Sequence, residues 1–196
     1  DGNDSYETAT YLDVNGSVTD TIMDAKDVDF FRLSPNANGA ITVSFQHTYK
    51  DSSDNGWNID IYKYENGEYK EVSSSRIQFT DNENIQLPFI GATAGSVYYV
   101  KISRYWDCIG EGYTLRSTFE ASQYYEQEKN DSYAAATIMQ MNETYTGTIG
   151  MDEDEDFYKI DVPTAGKLIL NFKHIYKDYS DNGWNVDIYK YENGEY

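Results

Sequence analysis

Polar and apolar side chains alternate with a period of two through much of the first 120 residues. In ITVSFQH, residues 41–47, Ile41, Val43 and Phe45 alternate with Thr42, Ser44 and Gln46, the signature of a strand with one buried face. WNIDIYKY repeats the pattern, with Trp57, Ile59 and Ile61 on one face and Asn58, Asp60, Tyr62 and Tyr64 on the other. Further strands are predicted over 16–22, 29–34, 69–75, 84–90, 97–105 and 112–120. Short strands separated by turn residues predict an all-β fold, an antiparallel, jelly-roll-like β-sandwich. Between two of them Asn66-Gly67 is the pair preferred where both turn positions take positive φ, so a hairpin is predicted there.

The chain repeats itself. At an offset of 127, NDSY at 3–6 recurs at 130–133 and GEY at 67–69 recurs at 194–196, with 35 identities in 67 ungapped pairs. Twenty of these fall in the last 23 pairs, and DNGWNIDIYKYENGEY at 54–69 returns at 181–196 with only Ile59 changed, to Val186. A period this long is the size of a domain, so the pattern is module duplication. It predicts one complete sandwich over 1–119, a connecting segment over 120–129, ASQYYEQEK at its heart, and the first half of a second copy over 130–196. Residues 70–119 have no counterpart after Tyr196, so either further sequence or a neighbouring chain is expected to complete the second copy. Trp57 and Trp184 are both expected in a core, and a half-copy would carry an unpaired edge strand.

Composition narrows the partners. Fifteen Lys+Arg against 34 Asp+Glu give a net charge of −19, which argues against nucleic acid and anionic membrane and favours cations. Twenty tyrosines and 16% aromatic content exclude a disordered acidic tail. No apolar run is long enough to insert in a membrane. The chain starts at Asp1 and has the single cysteine Cys108, which suits a piece of a secreted or surface-exposed bacterial protein.

The order NDSYETAT, GSVTDTI, DVDFFRL, ITVSF, NIDIYKY, GSVYYVKIS and GYTLRSTF resembles the bacterial pre-peptidase C-terminal domain family, which includes the collagen-binding domains of clostridial collagenases. The resemblance covers 3–119 and, as half a copy, 126–196. It implies a non-catalytic extracellular sandwich that holds calcium with a Glu-x-Glu-x-Asn-Asp entrance and the aspartates before an Asp-x-Asp-aromatic strand. Glu126, Glu128, Asn130, Asp131, Asp154 and Asp156 match that pattern. The first copy keeps Asn3, Asp4, Asp27 and Asp29, with Asp1 and Gly2 where the Glu-x-Glu segment would end. Oxygen donors of these types suit Ca²⁺, which takes six to eight. The resemblance also implies that the connecting segment reorganises when calcium binds.

Other motifs carry less. DSSDNG at 51–56 and DYSDNG at 178–183 open like an EF-hand loop, but Tyr62 and Tyr189 stand where a bidentate Glu is required, so a turn explains them. His47 and His174 are one position seen twice, and no nucleophile motif accompanies them. The acids from Asp152 to Asp156 lie on one loop rather than across a cleft, so no enzyme activity is expected. Cys108 is read as an inert thiol. Tyr62, Tyr64, Tyr98, Tyr99, Tyr105 and Trp106 lie on predicted strands or their ends, and those facing outward, with Tyr62, Tyr64, Tyr99, Tyr105 and Trp106 as the candidates, are expected to form a platform for a ligand. The expected function is therefore a calcium-binding adhesion or targeting module that grips an extracellular protein or polysaccharide. The alternatives are a repeat of an extracellular filament built from neighbouring copies, and a carbohydrate-binding module.

Overall fold

Alternation becomes two facing sheets. The computed structural model describes residues 2–52, 55–175, 183–192 and 195, and the chain divides into the units Asp1–Val162 and Pro163–Tyr196. The strands are β1 Thr10–Tyr11, β2 Ser17–Thr21, β3 Val28–Leu33, β4 Gly39–Gln46, β5 Gly56–Glu65, β6 Glu68–Gln78, β7 Asn84–Gln86, β8 Ile90–Ala92, β9 Val97–Tyr105, β10 Gly112–Ala121, β11 Thr137–Met139 and β12 Tyr158–Ile160. One sheet runs β1-β3-β9-β5-β6, and the other runs β2-β10-β4-β7 with β8 also on β4. β11 and β12 form a separate pair. No described residue is helical. The fold is the β-sandwich that the alternation predicts.

The core lies between the sheets. Ile41, Val43 and Phe45 of β4 and Leu115 of β10 meet Trp57, Ile59 and Ile61 of β5 and Val100 and Ile102 of β9, all buried. Trp57 is the largest wholly buried side chain, with its ring 5.1 Å from Phe45, 5.3 Å from His47 and 4.9 Å from Phe79. The β5–β6 hairpin turns at Asn66 and Gly67, with φ of 54° and 86°, as the Asn-Gly pair predicts. Its register slips between Ile61 and Tyr62. The slip puts both Val72 and Ser73 of β6 in buried positions, so that Val72 joins the core while Ser73 faces another partner.

Two features depart from the sequence reading. Residues 84–90 form two strands instead of one, because Pro88 has no N–H for the ladder and four steps from Gln86 to Ile90 span three from Ser44 to Ile41. β1 pairs in parallel with β3, Thr10 opposite Phe31, and at two residues it is too short to show a period.

The 127-residue offset survives as geometry. Thr137 lies opposite Tyr158 in a parallel pair, just as Thr10 lies opposite Phe31. Phe157 N–H donates to Asn130 O at 3.1 Å, and Phe30 N–H donates to Asn3 O at 2.9 Å. In the second unit, Phe172 and Trp184 meet at 5.5 Å and 59°, close to the 5.1 Å and 59° of Phe45 and Trp57. The expected burial of Trp184 is not found: it is 50% exposed, against 1% for Trp57. In the first copy Phe79, Tyr113 and Leu115 join Trp57 in the core.

Duplicated side chains in unlike surroundings make a direct test. Trp57→Ala is expected to destabilise the sandwich by about 3–5 kcal/mol in urea unfolding. Trp184→Ala is expected to change it by less than about 0.5 kcal/mol.

Candidate metal centre

After β10 the chain crosses the edge of the sandwich and is tied down residue by residue. Glu126 N–H donates to Thr146 O at 3.0 Å and Glu128 N–H donates to Gly91 O at 3.0 Å. The buried Lys63 ammonium of β5 donates to Glu128 O at 2.6 Å and pairs with Glu65 at 3.0 Å. Gly91 permits this approach, since a Cβ there would lie 2.1 Å from Glu126 O. Gly150 does the same on the other side: a Cβ would lie 2.5 Å from Val72 O, and its carbonyl accepts from Ser73 Oγ and Ser74 N, both at 3.3 Å. The β6 bulge thus presents Ser73 and Ser74 to the loop that carries the acids.

These ties bring the second copy's predicted residues together. Carboxylate oxygens of Glu126, Glu128 and Asp156 lie within 4.8 Å of one another, as do those of Glu128, Asp131 and Asp154. Glu128 belongs to both groups and joins five acids into one cluster. Glu126 and Asn130 are 0% exposed and Glu128 is 2% exposed. Thr148 N–H at 2.8 Å and the Tyr158 hydroxyl at 3.2 Å hold the Glu126 carboxylate. Gly150 N–H at 2.5 Å holds Asp154, and Lys129 pairs with Asp131 at 3.0 Å. Thr137 Oγ1 accepts from Gln127 N–H at 3.0 Å and from the Asn130 amide at 3.4 Å. Glu128 Oε2, Asn130 Oδ1, Asp131 Oδ1 and Asp156 Oδ1 are buried acceptors with no donor.

The electrostatics follow from burial. Desolvation, then the charges of Asp154, Asp156 and Asp131, push Glu128 up to about 8. Desolvation pushes Asp154 up to about 6, against the pull of the Gly150 N–H. Burial raises both Glu126 and Asp156, and it raises Tyr158, which faces the Glu126 carboxylate. Without a cation, the cluster carries repulsion that protonation relieves.

The first copy's predicted residues arrange themselves differently. Asn3 and Asp29 are buried, and both Asn3 side-chain polar atoms and Asp29 Oδ1 have no partner. The Tyr113 hydroxyl donates to Asp29 Oδ2 at 2.5 Å. Burial, with the charges of Asp20, Asp27 and Asp4, pushes Asp29 up to about 7. Met23 N–H donates to Asp27 Oδ2 at 2.5 Å, the same contact that Gly150 makes with Asp154. Among the described residues, these acids form no grouping of three at metal spacing, and Asp1 lies outside the described residues.

The predicted aromatic platform divides. Tyr62, Tyr64 and Tyr99 join Tyr6 and Tyr69 on the outer face of the β5-bearing sheet, where Tyr6 stacks on Tyr69 at 3.6 Å. Tyr99 is only 8% exposed beneath them. Tyr105 lies under Arg76 at 4.0 Å, and Trp106 stands 72% exposed on the next loop. Tyr98 is in the core. His47 is buried with Nδ1 3.2 Å from Thr48 O, and burial pushes the Cys108 thiol up to about 12. The EF-hand-like loops fall partly or mainly on residues outside those described, 53–54 and 178–182. Lys63, Gly91, Tyr158 and the Ser73–Ser74 pair were not found from sequence. Tyr158 lies two residues after Asp156 and was the one within reach of sequence reasoning, whereas the others are distant in the chain.

The raised carboxylates set a pH dependence. Native pKa values above the unfolded ones mean that the ion-free native state binds more protons, so stability falls as pH rises through the native values. In chelator, the melting temperature is expected to fall between about pH 5 and pH 9, with Asp154 and then Glu128 ionising. Scanning calorimetry in EDTA checks this, and a flat profile over that range would contradict it.

No protein-family model matches the chain, and no curated protein matches it. Among solved structures, it is similar to the pre-peptidase C-terminal domain of a collagenase from Bacillus anthracis, at 14% identity over 56% of this chain and 94% of that one, TM-score 0.43. A surface-associated copper-binding protein of Methylomicrobium album is similar at 6% identity over 57% and 98%, TM-score 0.43. A family 35 carbohydrate-binding module from an environmental isolate is similar at 12% identity over 55% and 79%, TM-score 0.35. No helix among the described residues is long and apolar enough to cross a membrane.

Proposed function

We propose that this chain is a non-catalytic, calcium-binding β-sandwich module of a secreted or surface protein, serving attachment to an extracellular protein or polysaccharide. The observation that carries the cation reading is the set of buried acceptors without donors: Glu128 Oε2, Asn130 Oδ1, Asp131 Oδ1 and Asp156 Oδ1. Buried acceptors left unpaired cost about 1–3 kcal/mol each, and more when charged. Four lying beside clustered carboxylates are explained together by one bound cation.

The donor set selects the ion. Carboxylate and amide oxygens are hard ligands, and no His or Cys belongs to either carboxylate grouping, which disfavours zinc and copper. Ca²⁺ accepts many oxygens in irregular geometry, whereas Mg²⁺ demands a near-ideal octahedron and keeps its waters. Glu126, Glu128, Asn130, Asp131, Asp154 and Asp156 would hold the ion. Its charge would supply the neutralisation that protons otherwise provide, so affinity rises with pH. The pre-paid anchoring by Lys63, Gly91 and Gly150 favours binding, because the carboxylates need little reordering.

Calorimetric titration with CaCl₂ tests the reading. We expect saturable binding, tighter at pH 8.5 than at pH 5.5, with a rise in melting temperature. Glu128→Gln, which removes the shared ligand's charge, is expected to weaken affinity by at least about tenfold. Absence of heat together with an unchanged melting temperature in millimolar calcium would sink the proposal. The exposed tyrosine face beside Tyr64 supports the attachment role, since Tyr is an efficient contact residue with a polar tip.

A further inference from the structure

The sheet that contains β4 and β10 has an outer face as well as a core face. Ala40 lies opposite Glu120 and Thr42 opposite Thr118, and these two cross-strand pairs alternate with the inward Ile41 and Val43. The small side chains of Ala40 and Thr42 leave a depression. Phe89, just before β8, and Tyr125, one residue before Glu126, rise beside it with their rings 5.2 Å apart at 64°. The resulting cleft is about 240 Å³ in volume. That is smaller than the roughly 300–1,000 Å³ of a site for a drug-sized molecule, and it suits a single long side chain.

The lining chooses the chemistry. Glu120 is exposed and has no ion-pair partner among the described residues. The Tyr125 hydroxyl is within its hydrogen-bonding reach and gives it no positive charge. Two aromatic rings set at an angle turn negative π-faces and ring edges towards one space, and a carboxylate closes it. A planar guanidinium satisfies all three surfaces at once, by stacking on a ring and donating to the carboxylate. A neutral sugar gains nothing from the carboxylate's charge, and an acidic peptide is repelled. The net charge of −19 adds a long-range field that draws basic partners.

We propose that this cleft seats one arginine side chain of a basic partner polypeptide, with Glu120 as its counter-ion and Phe89 and Tyr125 as its aromatic walls. It is separate from the acid cluster, although Tyr125 and Glu126 share a peptide bond. The tyrosine face on the opposite sheet takes no part in it.

Amide-resolved NMR titration of the whole chain in millimolar CaCl₂ tests the site. The probes are N-acetyl-arginine amide, its lysine counterpart and maltotriose. The acid cluster is then in the same state for every probe, and whether it binds an ion is read separately by the calcium titration above. Arginine amide is expected to give saturable shifts at Ala40, Thr42, Thr118 and Glu120, weakened by added salt, with lysine weaker and maltotriose without effect there. Glu120→Gln, at an exposed position that folding does not depend on, is expected to lower affinity about tenfold, and Phe89→Ala similarly. Three outcomes overturn the proposal: no saturable shifts at the cleft from arginine amide, equal shifts from maltotriose, or unchanged affinity in Glu120→Gln.

Discussion

The Glu128 peptide is fixed from both sides while its carboxylate Oε2 is left without a donor. Gly91 O takes its N–H and the Lys63 ammonium takes its carbonyl, so the backbone has nowhere to go. Its side chain then points at Asp131, Asp154, Asp156 and Glu126. Removing carboxylates from water costs several kcal/mol per ion unless a counter-charge replaces the hydration. The sandwich nevertheless holds these five together, because backbone bonds of Glu126, Glu128 and Asp154, and the Phe157-to-Asn130 bond beside Asp131 and Asp156, anchor the segments that carry them. Burial and mutual repulsion under that anchoring raise the carboxylate pKa values.

The repeat shows how one backbone pattern acquires two electrostatic characters. Asn3 and Asn130, Asp27 and Asp154, and Asp29 and Asp156 occupy matching places, down to the short contact between a loop N–H and the first aspartate. Around Asp29, however, a phenol from β10 fills the space. Around Asp156, two glutamates from the preceding segment do so instead. Matching acids in the two copies are therefore unequal in charge density, and the difference comes from what the rest of the chain brings alongside.

The junction also joins the copies. The bulge in β6, the missing Cβ atoms of Gly91 and Gly150, and Lys63 all belong to contacts between the first sandwich and the opening of the second copy. The acid cluster and the seating of this segment on the sandwich thus share residues, most directly Glu128.

What the sequence determined by itself was local or periodic. Alternation marked β4, β5, β9 and β10, and Asn66-Gly67 marked the hairpin, because strand facing and positive-φ turns are set by neighbouring residues. The acids that gather in the cluster were legible through an ordered resemblance, and duplication was legible as plain identity. Tertiary structure alone decided which of these features have partners. Lys63 is 65 residues from Glu128 and Ser73 is 77 from Gly150, so no short pattern links them. Trp57 and Trp184 sit in nearly the same sixteen-residue sequence, yet one is buried and the other exposed, because burial depends on a facing layer supplied from elsewhere. The tyrosines likewise share a composition signal but go to core, covered face and open surface. A strand's pleat says only that side chains alternate, and the opposing sheet decides which side is inside.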